Sequence, residues 1–196
     1  MTLQTKIVLS DKELEMIRNA DWILTKQSIL EKVDLLLKEC VPVIEEKISF
    51  SNIPVDIPKI SKGENYLGLP YLILDHPRIF DKHDIFAIRT MFWWGRFYSI
   101  TLHLAGKYKT MLERKIVERS EVLHSKFYLC IHDEQWHHHF EPANYLPFNN
   151  VSSTDLKKII NEKAFIKIAI KFPIQGFDEQ QKLLTQGYDV IGKLIN

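Results

Sequence analysis

No run of apolar residues in this chain is long enough to cross a bilayer. The central stretch Phe97 to Gly106 is free of Asp, Glu, Lys and Arg, but is well short of the roughly 18 to 20 residues a membrane helix needs. Cysteine is nearly as scarce. Cys40 and Cys130 are the only two, far apart and among apolar neighbours, which fits small buried residues better than a disulfide framework. Charge of one sign is missing too: 26 Lys and Arg against 25 Asp and Glu leave a formal net charge of +1, with no basic block. The electrostatic footprint of a nucleic-acid binder is therefore absent. Near the start, Ile7-Val8-Leu9 is too short for the core of a signal peptide. These absences predict a reducing, cytoplasmic setting with neither nucleic acid nor membrane as partner.

What is present reads as one domain over residues 1–196. With 45% apolar and 26% charged residues, a chain this size buries roughly 70% of its unfolded surface and needs no metal or disulfide to hold a core. Ser10-Asp11-Lys12-Glu13 has the form of a capping box and predicts a helix carrying Leu14 and Ile17. Ile29, Val33, Leu36, Leu37, Cys40 and Ile44 then recur at spacings of three and four, a long helix with one buried stripe that Pro42 ends or kinks. Pro54, Pro58 and Gly63 mark residues 49–65 as a loop joining a helical part (1–48) to a strand-rich part (66–172).

Leu67 to Asp75 predicts a first strand, with Pro70 placing it at an edge or a bulge. Asp81 to Ile88 supports a short capped helix, and Ile85 to Trp94 supports a strand; the capping residues favour the helix. Tyr98, Ile100, Leu102 and Leu104 alternate with Phe97, Ser99, Thr101 and His103, a strand whose polar residues are expected to face solvent. Met111 to Glu118 reads as a short helix or connector. Lys126 to His132 and Trp136 to Phe140 read as a hairpin around Asp133-Glu134-Gln135. Ser152 and Asp155 cap a helix, Ile166 to Phe172 form a strand stopped by Pro173, and Leu184, Tyr188, Ile191 and Ile195 lie on a closing helix over residues 177–195. The order predicts an α+β fold, with N-terminal helices and a C-terminal helix packed on a mainly antiparallel sheet.

Three constellations invite chemistry. His132, His137, His138 and His139 lie within eight residues. An even-length turn would set His132, His137 and His139 beside Cys130 on one sheet face, a donor set suited to zinc or iron. An odd-length turn would separate them and leave a solvated hairpin. The second constellation is Phe92-Trp93-Trp94-Gly95-Arg96-Phe97-Tyr98, which makes both faces of a strand aromatic, the mark of a ligand groove or a subunit interface unless loops cover it. The third is Asp75-His76-Pro77-Arg78 with Arg89 nearby, where an arginine fork beside an aromatic wall suits a carboxylate or phosphate. A salt bridge from Arg78 to Asp75 or Asp81 is the plainer alternative. Nucleophile elbows, dinucleotide glycine fingerprints and phosphate loops are all missing.

The run from Ile60 to Tyr71, continuing through Leu74-Asp75-His76-Pro77-Arg78 and into Phe92-Trp93-Trp94-Gly95, resembles a group of small uncharacterised bacterial proteins. The resemblance covers about a quarter of the chain. It implies a bacterial cytoplasmic protein and no particular activity. The residues themselves favour a non-catalytic binding or interaction domain without a cofactor. In that reading Trp93, Trp94 and Tyr98 form an aromatic face for a small molecule or a second subunit, with Arg78 or Arg89 as polar anchor. The rival is a metal-dependent enzyme on His132, His137 and His139.

Overall fold

A computed structural model of the chain describes residues 7–48, 53, 56–123 and 126–196. Helix α1 (Asp11–Arg18) opens with the expected capping box, in which Ser10 Oγ accepts from the Glu13 amide and the Glu13 carboxylate accepts from the Ser10 amide. Asn19 Oδ1 then caps the Asp21 amide and starts α2 (Ala20–Lys47). Pro42 does not end α2. A proline inside a helix costs about 3 kcal/mol, but Cys40 and Ile44 on either side of it belong to the buried stripe that holds this stretch against the sheet.

Among the described residues seven strands follow: β1 (Lys59–Tyr66), β2 (Leu69–Phe80), β3 (Ile85–Trp93), β4 (Phe97–Ala105), β5 (Phe127–Cys130), β6 (Tyr145–Pro147) and β7 (Phe165–Phe172). They form one antiparallel sheet in the order β1-β2-β3-β4-β7-β5-β6. Helices α3 (Lys107–Glu118), α4 (Ser153–Glu162) and α5 (Phe177–Ile195) complete an α+β fold with helices at both ends of the chain. Among the described residues no helix is long and apolar enough to cross a membrane.

Three segments depart from expectation. The second half of the predicted loop, Lys59–Tyr66, is edge strand β1, polar because an edge strand faces water along much of its length; residues 49–52, 54 and 55 lie outside the described residues. Ile85–Trp93 is a strand and not a helix, because Ile85 and its aromatics pair on both sides with β2 and β4, and that pairing overrides the local capping signal. Trp136 to Phe140 is not a strand, since β5 pairs instead with β6.

Alternation along the strands divides the sheet into two sides. Leu74, Phe86, Ile88, Ile100, Leu102, Ile168 and Ile170 point to a core shared with Leu37 and Ile44 of α2 and with Leu184, Tyr188 and Ile191 of α5. Each such side chain contributes roughly 1.5–3 kcal/mol by leaving water. Helix α5 lies close enough that a Cβ on Gly187 would come within 2.7 Å of Ile100 Cδ1.

Candidate functional site

The other side of the sheet holds polar and aromatic residues, and a strap of irregular chain, residues 131–144, closes over it. Ser99, Thr101 and His103, expected to meet solvent, are buried there, as are Asp75 and Lys167. The strap is not a strand because side chains take the amide donors a ladder would use. His132 Nδ1 accepts from the Glu134 amide at 2.9 Å and Glu134 Oε1 accepts from the Trp136 amide at 3.1 Å. Tyr66 Oη accepts from the His138 and His139 amides at 2.7 and 3.1 Å.

Beneath the strap, Arg89 forms a two-point ion pair with Asp75 and donates from Nη1 to His138 Nε2 at 3.2 Å. Because arginine only donates, His138 Nε2 must be an unprotonated acceptor. Burial first, and the Arg89 charge second, hold the His138 pKa well below the usual imidazole range. His103 Nε2 donates to Gln135 Oε1 at 2.9 Å, and burial, reinforced by Lys167, pushes its pKa down to about 3. Lys167, 1% exposed, donates to the Gln135 and His137 carbonyls at 2.8 and 2.7 Å, and burial lowers its pKa to about 8. Perturbed groups of this kind cluster at functional sites and also in structural networks. Here the protonated and neutral groups fasten the strap to the sheet.

The aromatic residues are divided between the two sides. Trp93, 4% exposed, joins an edge-to-face series under the strap, with Tyr66 at 5.1 Å, Phe97 at 5.3 Å and onward from Phe97 to Phe140 at 5.1 Å. Tyr98, 1% exposed, is on the helix side, and Trp94 packs against that same core. Trp93, Trp94 and Tyr98 therefore do not share one open wall, since adjacent residues of an extended chain point to opposite faces. Of the two arginines, Arg89 bonds the strap through His138, whereas Arg78, in register with Ala87 on the same sheet face, reaches outward to the end of the sheet. The acid nearest Arg78 is Asp56 at 3.7 Å, beside a cleft of about 490 Å³, and neither Asp75 nor Asp81 is its ion-pair partner.

The histidines do meet, though not through a hairpin. The His132 and His137 rings lie 4.6 Å apart and those of His137 and His139 5.3 Å apart. Metal-bound histidine normally donates from its second nitrogen to an acceptor. Here His132 Nδ1 and His139 Nδ1 both accept from backbone amides, which leaves the proton on Nε2 and removes that lone pair from coordination. Among the described residues no group of three His, Cys, Asp or Glu side chains is arranged to hold a metal ion. The two cysteines lie on opposite sides of the sheet. Burial pushes the Cys40 thiol up to about 11 on the helix side, and Cys130 under the strap is also raised, lying 3.6 Å from Asn144 Oδ1.

A further feature, missed in the sequence, is the N-terminal arm. Val33, Leu37, Cys40 and Ile44 of α2 are buried and Ile29 is half-buried, but Trp22 is 61% exposed. Trp22 lies eleven residues before Val33, three turns back on the same side of the helix. Lys26 reaches Glu64 on edge strand β1 at 2.5 Å, and the apolar stripe continues past that edge without a sheet beneath it. Helix α1 has no buried residue. The signal was available as an apolar stripe longer than the part of the helix that a small sheet can cover.

Compared with protein-family models, curated proteins and solved structures, the chain matches none of them.

Proposed function

We propose that the chain is a non-catalytic interaction domain that pairs with a second copy of itself through its N-terminal helical arm. The observation that carries this reading is the arm's apolar surface: Ile7, Val8, Leu9, Met16, Ile17, Trp22, Ile23 and Leu24 are all exposed, on or beside helices with well-formed caps. Side chains of that number and exposure present an area on the order of the ~800 Å² each partner gives to a standard interface. Exposed apolar surface concentrated in one short segment points to an interaction site. A second copy fits the charge pattern, because α1 is acidic in its first turn at Asp11 and Glu13 and basic in its last at Arg18. An antiparallel pair of arms sets each acidic turn against the partner's basic one, the self-complementarity a two-fold interface requires. The enclosure of the aromatic sheet face moves the docking surface from that face to the arm.

Light scattering on the eluting protein tests this. The expected result is a dimer for the native chain and a monomer with unchanged circular dichroism for the Ile17→Asp, Trp22→Asp variant. A native chain that stays monomeric into the high micromolar range overturns the reading. The rival, a zinc or iron enzyme on His132, His137 and His139, keeps the three neighbouring imidazoles in its favour but requires two of them to give up their backbone hydrogen bonds.

A further inference from the structure

We infer that the cleft beside Arg78 binds a small monocarboxylate with an apolar body. This goes beyond self-pairing and does not depend on it, since the cleft is lined by the end of β2 and the start of α3 and not by the arm. Its volume of about 490 Å³ falls within the roughly 300–1,000 Å³ of small-molecule sites. Arg78 supplies the polar anchor. Among the described residues this half-buried guanidinium makes no hydrogen bond: Nε is buried without an acceptor, and Asp56 stands 3.7 Å from Nη2, beyond hydrogen-bond reach. Leaving a buried donor unpaired is unfavourable, and a carboxylate is the acceptor whose two oxygens match the guanidinium fork. The same chain demonstrates that match at Arg89, where Asp75 engages Nε and Nη2 together.

The rest of the lining sets the class of ligand. Ile79 and Phe80 supply apolar wall, and Lys107 adds a second cation at the rim. Asp56 and Asp81 oppose these two cations, so the lining charges cancel. Such a lining accepts one negative charge at Arg78 and offers no surplus positive charge to a doubly charged phosphate. Asp84 keeps Lys107 in place, through a hydrogen bond to its backbone amide at 2.8 Å and an ion pair to Nζ at 3.4 Å. The ammonium is thereby held at the mouth, over the Tyr108 ring at 5.0 Å.

Titration of the full chain with benzoate and with hexanoate, followed by amide chemical-shift changes, tests the site. Saturable shifts in the millimolar range or tighter are expected around Arg78 to Asp81 and at Lys107, with inorganic phosphate a poor competitor. Arg78→Gln should weaken benzoate about tenfold or more, and Lys107→Gln about threefold, a graded loss expected of an anchor and a rim charge. Absence of saturable shifts with both carboxylates, equal binding by Arg78→Gln, or competition by phosphate at the same concentrations overturns the proposal. Lys107→Gln, altering an exposed rim residue, keeps the test decisive if Arg78→Gln fails to fold.

Discussion

Asp75 and Arg89 face each other across β2 and β3 and close a two-point ion pair, Nε to Oδ1 at 2.8 Å and Nη2 to Oδ2 at 2.9 Å. The pair is shut beneath the strap, where Arg89 also holds His138. It joins the second and third strands of the sheet to a segment some fifty residues later in the chain, so one guanidinium ties two strands and the strap together, beside the bonds from Tyr66, His103 and Lys167.

Removing one member of the pair strands the other charge in a dry setting, which typically costs about 3–5 kcal/mol, whereas removing both is far milder. Asp75→Asn and Arg89→Met are each expected to lower stability by about 3 kcal/mol in urea unfolding. The double variant should lose clearly less than the sum. Strict additivity would mean that the two side chains do not act as a unit.

Acid should loosen the strap. The His103 pKa is lowered from 6.5 to about 3 in the folded chain, by burial first. Above pH 6.5 the ring is neutral folded or unfolded and contributes no pH dependence. As pH falls from 6.5 towards 3 only the unfolded chain takes the proton, so stability is lost across that window, by about 2–3 kcal/mol at pH 4.5. His138 and His139 shift in the same direction. Thermal melts at pH 7.5 and 4.5 should show a smaller acid loss for His103→Gln than for the native chain; identical losses would remove His103 from the account.

Metal content separates the two functional readings. Protein purified without a histidine tag is expected to carry no stoichiometric zinc or iron, and the His137→Ala, His139→Ala double variant should keep the native oligomeric state. Stoichiometric metal that disappears in that variant would show a histidine metal centre and favour the enzyme reading over the non-catalytic one.

Much of the fold was legible because it rests on periodicity. The stripe from Val33 to Ile44 and the alternation from Phe97 to Leu104 each report which residues share a face, and the structure keeps both. Failures came where a distant contact outweighs a local signal. Pro42 is overridden by packing on the sheet, and the capping residues at Asp81 by strand pairing on both sides of β3. The strap was the hardest to read. Tyr66 lies about seventy residues from the amides it binds, and no spacing announces that a tyrosine hydroxyl will replace a strand. Ser99, Thr101 and His103 looked like a wet face because polarity along a strand does not reveal whether water or another polar segment lies above it.

The separation of Cys40 from Cys130 by the sheet gives the molecule two built-in reporters. With both thiols buried and raised, thiolate is scarce at neutral pH, and thiolate is the species that reacts with alkylating reagents. Labelling therefore proceeds through molecules that have opened, and mass spectrometry of the two peptides times that opening on each side independently. Cys40 clocks departure of the helices and Cys130 departure of the strap, so a single pulse of reagent ranks the two layers by how often each lets solvent in.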